Sequence, residues 1–209
     1  MEKGTDVRAR SRRESNKIAT RARILAAAKE LFATQGVSGT TVDELAERSQ
    51  VSRGTFFNYF PTKDAVLTAL WADQVDNLAV QVDGLMAQQM STADRIGQLF
   101  AGVVEATERQ PGYLKAVTGE LEAAFAEPTI VVPRVARFHS ILMRVIHGGL
   151  AQGDVRVDFE PDFLAQTIAA IFIAVLRTWR TEPAYDLAAG FAEAARFVAV
   201  TVCVPPEGG

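Results

Sequence analysis

Apolar residues recur along most of this chain at spacings of three and four, the period of an amphipathic helix. The first such face contains Ile24, Leu25, Ala28, Leu31 and Phe32. Gly36 follows this face, and we expect it to end the helix in a left-handed cap. Residues 1–16 are polar and rich in arginine, which predicts a disordered basic arm ahead of the helix.

Two short helices are predicted between residues 41 and 60. Thr41 and Glu44 have the spacing of a capping box, in which each side chain accepts a hydrogen bond from the other residue's backbone N–H. After a tight turn over residues 49–51, Ser52 is a good N-cap for a second helix that runs to about Tyr59. Pro61 ends that helix, because its ring disfavours a helical conformation in the residue before it.

Longer helices are predicted for the rest of the chain. Thr62 caps the first of them, whose apolar face contains Leu67, Leu70, Trp71, Val75, Leu78, Val82 and Leu85. The others lie near residues 92–109, 112–126, 133–151, 161–181 and 186–203, with proline or glycine at the breaks. Val155, Val157 and Phe159 alternate with polar residues, but a loop explains so short a stretch equally well. The predicted fold class is therefore all-α.

Composition narrows the class of protein. Hydrophobic residues make up 48% of the 209 residues, enough for a substantial core. The single cysteine, Cys203, excludes an internal disulfide framework and a multi-cysteine zinc site. The N-terminus lacks an apolar signal core, and the longest apolar run, Ile168 to Leu176, has about half the length of a membrane span. We therefore expect a cytoplasmic protein without cofactor or metal.

Charge is distributed unevenly along the chain. Residues 1–63 carry 12 Lys and Arg against 7 Asp and Glu, whereas residues 64–209 carry 10 against 18. A basic N-terminal segment followed by an acidic remainder fits a polyanionic partner, although a solvated basic tail would give the same distribution of charge.

Two short helices joined by a three-residue turn, behind a supporting helix, form a helix-turn-helix. The second helix of this motif enters the major groove of DNA. Gly54 would let the backbone approach closely, and Thr55 would offer a methyl and a hydroxyl group to base edges. Tyr59 and Lys63 would reach phosphates, the latter at the N-terminus of the long helix.

The aromatic residues of the second short helix divide between two roles. Phe56 and Phe60, four residues apart, are predicted to pack back onto the preceding helices, because a helix of about two turns is not stable alone. The complete set of candidate DNA-contacting residues is Thr41, Arg53, Gly54, Thr55, Phe57, Asn58, Tyr59 and Lys63.

The segment ILAAAKELFATQGVSGTTVDELAERSQVSRGTFFNYFPTKDAVL, residues 24–67, resembles the DNA-binding domain of the TetR family of transcriptional repressors. The matching positions are Ala27-Ala28, Leu31-Phe32, Gly36, Thr41-Val42, Leu45-Ala46, Val51-Ser52, Gly54-Thr55, Tyr59-Phe60 and Lys63. Gln50 stands where the family usually has glycine, which predicts a less relaxed turn. Phe57 stands where tyrosine is common, so a phenol that could contact phosphate is missing.

The resemblance implies three parts: the arm over residues 1–16, a DNA-binding domain over 17–63, and a ligand-binding and dimerisation domain over 64–209. The helix containing Ile168–Leu176 is apolar on every side, which favours burial both within the domain and against a second subunit. Ile171 or Phe172 should then face the partner of a homodimer. A monomer that buries this helix internally is the alternative.

The resemblance also implies a cavity for a small effector molecule. The candidate lining residues are Trp71, Phe100, Val104, Tyr113, Phe125, His139, Met143 and Phe172. This set is mainly apolar and suits a mainly hydrophobic ligand.

The sequence therefore predicts a homodimeric repressor that binds a palindromic DNA operator and is released by an apolar effector. A constitutive DNA-binding regulator and a carrier of apolar small molecules are the alternatives. An enzyme is disfavoured, because the chain has no phosphate-binding glycine loop after a strand and no nucleophile motif.

Overall fold

The computed structural model describes residues 3–126 and 128–204, with side chains described for residues 13–119 and 136–204. The described helices are α1 Lys3–Gly39, α2 Val42–Arg48, α3 Arg53–Tyr59, α4 Lys63–Met86, α5 Thr92–Arg109, α6 Pro111–Ala126, α7 Pro128–Gln152, α8 Pro161–Thr181 and α9 Leu187–Val202. Within the described residues, extended structure is limited to an isolated antiparallel bridge between Val155 and Cys203. The predicted all-α fold is confirmed.

The chain divides into two compact units, Met1–Leu70 and Trp71–Gly209. The division falls within α4, later than the predicted boundary between residues 63 and 64. The first turns of α4 belong to the N-terminal unit because Val66, Leu67 and Leu70 are buried residues of its core.

Helix α1 is helical from Lys3 onward, where the sequence analysis predicted a disordered arm. The residues between Lys3 and Asn16 include no proline, and arginine, lysine and glutamate are good helix formers. The basic segment therefore extends the core helix in the structure. The side chains of Arg8, Arg10 and Arg12 lie outside the described residues.

The break in α1 occurs at Gly36, as predicted, but its conformation differs from the expected cap. Gly36 has φ 73° and ψ 170°, whereas a left-handed cap has ψ near 47°. This region of backbone space is essentially restricted to glycine. The Thr40 hydroxyl donates to the Gly36 carbonyl over 2.7 Å and so holds the chain after the break.

Local hydrogen bonds fix both short helices at the predicted positions. At α2, the Thr41 hydroxyl accepts from the Glu44 N–H, and the Glu44 carboxylate accepts from the Thr41 N–H over 2.7 Å. At α3, the Ser52 hydroxyl accepts from the Thr55 N–H over 3.0 Å. Phe60 is extended and ends the helix before Pro61, as predicted.

The C-terminal unit is built from the rest of α4 and the helices α5 to α9. Their bounds agree closely with the sequence prediction, except that the backbone of α7 is helical from Pro128 and not from residue 133. Four buried rings from different helices, with neighbouring centroids 5.1–5.8 Å apart, form the centre of the core: Phe100, Phe138, Phe172 and Phe191.

A buried arginine ties the C-terminal end of α4 to this unit. Arg95 is 5% exposed, and its guanidinium donates to the carbonyls of Leu85 and Gln88 and to the side-chain oxygen of Gln152. Gln152 in turn donates to Asp154 over 3.1 Å. We call these residues the Arg95 cluster; it joins the end of α4 to α5 and α7.

Among the described helices, α8 has the length and apolar character that a membrane span would require. It packs between α7 and α9, and one face of it is buried in the core. The core therefore accounts for the buried face of α8, which includes Ile168 and Phe172, whereas Phe163 remains exposed.

Candidate nucleic-acid interface and ligand cavity

The turn between α2 and α3 contains the departure from the family pattern noted in the sequence. Gln50 has φ 55°, in the left-handed region that favours glycine. The turn still closes, because the N–H groups of Gln50 and Val51 donate to the carbonyls of Glu47 and Ala46 over 3.0 and 2.9 Å. The cost of the non-glycine residue is therefore local strain, without loss of the turn.

Helix α3 is anchored by the two aromatic residues predicted to be buried. Phe56 is 0% exposed and Phe60 is 4% exposed. The Phe56 ring packs against those of Phe57 and Phe60, with centroids 5.7 and 6.2 Å apart, and the Arg21 guanidinium lies over Phe60. These contacts hold α3 against the unit and leave its opposite face open.

That opposite face contains the exposed residues Arg53, Gly54, Phe57 and Asn58. Arg53 makes two hydrogen bonds to the Asp43 carboxylate, over 2.7 and 2.8 Å, and lies over the Phe57 ring. Thr55 and Tyr59 are partly buried at its edges. The structure thus places the candidate residues of α3 on one accessible surface.

Gly54 is not required by the fold. Its backbone φ is not in the positive region, and the nearest atom to a Cβ placed there would be the Ser52 hydroxyl at 3.9 Å, an ordinary contact. Glycine in a helix costs about 0.5–1 kcal/mol relative to alanine. The described part of the chain therefore does not require glycine at this exposed position, and close approach of DNA to Gly54 stays a prediction.

Thr41 and Lys63 have structural partners as well as candidate DNA roles. The Thr41 hydroxyl donates to the Glu44 carboxylate over 2.7 Å. Hydrogen bonds from the backbone and side chain of Thr41 lower the pKa of Glu44. Glu44 therefore stays ionised at neutral pH, and the N-terminus of α2 keeps its cap.

The Lys63 ammonium donates to the carbonyls of Val37 and Thr40, over 2.5 and 2.8 Å. Sequence reasoning missed this role, although carbonyls left without helical partners after a break such as Gly36 are a usual target for lysine. One ammonium hydrogen remains for a phosphate, so phosphate contact by Lys63 stays a prediction. Its replacement would also disturb the fold, which makes it a poor probe of DNA contact.

The C-terminal unit contains a partly open cavity of about 120 Å³. Its apolar wall includes Trp71, Val75, Leu78, Val117, Phe138 and Phe172. Its polar lining side chains are Gln74, Asn77, Gln81 and Thr118. Of the eight residues predicted to line a cavity, the structure brings Trp71 and Phe172 together here.

The remaining predicted residues lie elsewhere. Phe100 belongs to the aromatic core, and Val104 and Met143 are partly buried away from the cavity lining. Tyr113 accepts from Gln74 over 3.0 Å, and burial raises its pKa to about 12. The Nε2 atom of His139 lies 3.2 Å from Oδ1 of Asp162. The Phe125 side chain lies outside the described residues.

The lining residues that sequence reasoning missed include three polar residues of α4. Gln74, Asn77 and Gln81 share a face with Trp71, at spacings of three, six and ten residues. The apolar face of α4 predicts a buried helix, and the polar positions beside that face are the sequence signal for a cavity.

Helices α8 and α9 present apolar side chains at the surface. Phe163, Phe197 and Val200 are 54%, 56% and 82% exposed. Ile171 lies with Phe197 in the shallow groove between the two helices, whereas Phe172 points into the core. Of the two residues predicted as alternatives for subunit contact, Ile171 is the one near the surface.

Comparison with known proteins shows which proteins this chain is similar to. Residues 24–70 match the family model of "Bacterial regulatory proteins, tetR family". The transcriptional regulator EthR of Mycobacterium tuberculosis is 37% identical over 103 residues, which are 49% of this chain and 47% of that protein. The match thus spans about half the length of this relative.

Two further relatives match over more of the chain. The transcriptional regulator TcmR of Streptomyces glaucescens is 28% identical over 179 residues, covering 81% of this chain and 77% of that protein. The crystal structure of Thermus thermophilus FadR, a transcriptional repressor in complex with lauroyl-CoA, is 29% identical. It superposes with a TM-score of 0.71 over 90% of this chain and 99% of that one.

Proposed function

We infer that this chain is a member of the tetR family of bacterial regulatory proteins, whose family model matches residues 24–70. On that premise we propose that it is a ligand-responsive transcriptional repressor. In this proposal it binds a palindromic DNA operator as a homodimer in the cytoplasm. A mainly apolar small molecule then releases it from the operator. The observation that carries the proposal is the accessible face of α3, whose second residue is a glycine that the fold does not require.

The DNA-binding role rests on how α3 is held. The buried rings of Phe56 and Phe60 hold the helix against the core, and local caps fix its start and end. The exposed side chains of α3 are therefore held in a defined position. In a helix-turn-helix this face enters the major groove. The net positive charge of residues 1–63 supplies the attraction to phosphate.

The homodimer rests on the apolar side chains of α8 and α9. Exposed phenylalanines on neighbouring helices are typical of a surface that another molecule covers. A second copy of the chain, related by a two-fold axis, would cover both helices in a four-helix interface. Two recognition helices would then match two operator half-sites.

The effector role rests on the cavity and on a relative. The cavity has the mainly apolar lining, with a few polar groups, that is typical of small-molecule sites. The FadR structure contains lauroyl-CoA, a ligand with an apolar chain. We propose that this chain's cavity likewise receives a mainly apolar effector.

Helix α4 would couple the two events. It runs without interruption from Lys63 to Met86, so its start belongs to the DNA-binding unit and its residues from Trp71 onward line the cavity. A ligand that shifts this helix would alter the separation of the two recognition helices. Coupling of this kind is reciprocal, so the operator must weaken ligand binding by the factor by which the ligand weakens operator binding.

The DNA-binding proposal is tested by selecting genomic fragments that the purified protein retards in a gel, and then comparing Gly54→Ala with Gly39→Ala. Both variants add one methyl group to the N-terminal unit, and neither methyl clashes within the chain. We expect Gly54→Ala to lower operator affinity at least about tenfold, because the methyl would stand between helix and DNA. Gly39→Ala should bind as the unmodified protein does.

Retention of full affinity by Gly54→Ala would contradict the proposed docking face. Failure of the unmodified protein to retard any fragment would favour the carrier of apolar molecules. A protein whose ligand affinity is equal with and without operator would be a constitutive regulator.

A further inference from the structure

The cavity in the C-terminal unit has a lining without ionisable side chains among the described residues. Its polar groups are the side-chain amides of Gln74, Asn77 and Gln81 and the hydroxyl of Thr118. Several of these groups already have partners within the chain. Gln74 donates to Tyr113, Gln81 donates to the Gln98 carbonyl, and Thr118 donates to the Leu114 carbonyl.

Trp71 differs from these groups. Its side chain lines the cavity and is only 6% exposed. Its indole Nε1 is buried and has no hydrogen-bond partner within the described part of the chain. A buried N–H without an acceptor is unfavourable, and such groups in native proteins require an explanation.

We propose that the effector is an uncharged molecule with an apolar body and one carbonyl-type oxygen, and that this oxygen accepts a hydrogen bond from the Trp71 indole N–H. This inference rests on the proposed ligand-responsive function and names the chemical class of its ligand. The indole has only a donor to offer, so the group that satisfies it must be an acceptor.

The lining also determines which ligand groups are excluded from the cavity. Among the described residues, a carboxylate or an ammonium group inside the cavity would lose its hydration without gaining a side chain of opposite charge, and burial of an unpaired charge is strongly unfavourable. The apolar wall, with Val75, Leu78, Val117 and Phe138, suits a hydrocarbon chain or ring. The described lining therefore offers no partner for a charged ligand group, and the Trp71 indole N–H favours a neutral acceptor.

Three probes with the same octyl chain test this assignment on the full-length protein. They are methyl octyl ketone, its alkene isostere in which a methylene group replaces the carbonyl oxygen, and nonanoate. Isothermal titration calorimetry at neutral pH measures each affinity. We expect the ketone to bind, and nonanoate to bind at least about tenfold more weakly.

The Trp71→Phe variant then isolates the hydrogen bond, since it keeps an aromatic ring and removes the N–H. Its ketone affinity should fall about tenfold while its affinity for the alkene changes less than about twofold. Leu78→Met is the matched control, because it alters the same wall without removing a donor. It should change the affinities for ketone and alkene by the same factor.

A spectroscopic readout does not depend on the variants. The chain has two tryptophans, so its nitrogen-15-labelled form gives two indole signals, which a Trp179→Phe variant assigns. The Trp71 indole proton should move downfield with the ketone and not with the alkene. An unmoved signal at saturating ketone, or no ketone binding up to its solubility limit, would overturn the assignment.

Failure of this inference and failure of the proposed function give different results. A charged effector that releases the operator while the ketone does not bind would overturn the ligand class and leave the repressor standing. Ketone binding through Trp71 without any effect on operator affinity would support the ligand class and contradict ligand-controlled release.

Discussion

In the N-terminal unit, α2 and α3 each span seven residues, and side chains at their ends make the hydrogen bonds that define them. In the C-terminal unit, the helices α5 to α9 span 16 to 25 residues, and side chains along their length pack into a shared core. Short helices cannot be stable by themselves, whereas long helices gain most of their stability from tertiary packing. The two short helices therefore depend on their caps and on a few buried rings such as Phe56, whereas the helices of the C-terminal unit depend on contacts distributed along their length.

This difference matches the two proposed tasks. A recognition helix must present its side chains in one geometry, and caps together with two buried rings provide that rigidity. An effector site must receive a molecule, and a cavity with amide groups at its wall provides the space. The variants below would sharpen or break this contrast, beginning with the largest expected effect.

Phe56→Ala should destabilise the N-terminal unit by about 3–5 kcal/mol, because it removes a fully buried ring that anchors α3. Phe57→Ala is the matched control, since Phe57 is 41% exposed and should cost less than about 1 kcal/mol. Chemical denaturation followed by circular dichroism measures both. Equal losses in the two variants would show that α3 is not anchored by one buried ring.

Arg95→Met should destabilise the C-terminal unit by about 1–3 kcal/mol. It removes the guanidinium donor from the Gln88 carbonyl and from the Gln152 side-chain oxygen, whereas the Leu85 carbonyl still accepts from the Gln88 N–H. Arg109→Met is the control, because Arg109 is a 73% exposed partner of Glu105, and its loss should change stability by less than about 0.5 kcal/mol. If both variants unfold at the same denaturant concentration, the Arg95 cluster does not anchor the end of α4.

Gly36→Ala should cost about 1–3 kcal/mol, because alanine is strained at φ 73° and ψ 170°. Gly39→Ala adds the same methyl group three residues later, where its nearest contact would be an ordinary 3.5 Å approach to Gln35. We expect that variant to stay within about 0.5 kcal/mol of the unmodified protein. Thermal unfolding distinguishes the two, and an unchanged Gly36→Ala midpoint would contradict a glycine-only break in α1.

Gln50→Gly should stabilise the N-terminal unit by about 0.5 kcal/mol, because it relieves the left-handed backbone at φ 55°. Glu47→Gly should have the opposite sign and cost about 1 kcal/mol, since Glu47 is an exposed position inside α2. Denaturant midpoints of the two variants measure the difference. A destabilised Gln50→Gly would show that the glutamine side chain contributes more than its backbone costs.

Much of the N-terminal unit could be read from the sequence because its signals are local. Thr41 and Glu44, or Ser52 and Thr55, lie three residues apart, so their capping bonds follow from chain geometry alone. The bounds of α3, the break at Gly36 and the burial of Phe56 followed in the same way. Two local features were predicted wrongly: the conformation of Gly36, and the helical start of α1, where a polar composition resembles disorder.

Other features were decided only by the tertiary structure. The Lys63 ammonium meets carbonyls 23 and 26 residues away, and Arg95 meets Gln152 across 57 residues. The cavity shows the same limit: Val103 lines it while Phe100, one turn earlier on the same helix, fills the aromatic core. Periodicity identifies which side chains are buried, but both residues are apolar, so only the packing of neighbouring helices decides whether a side chain meets another side chain or a cavity.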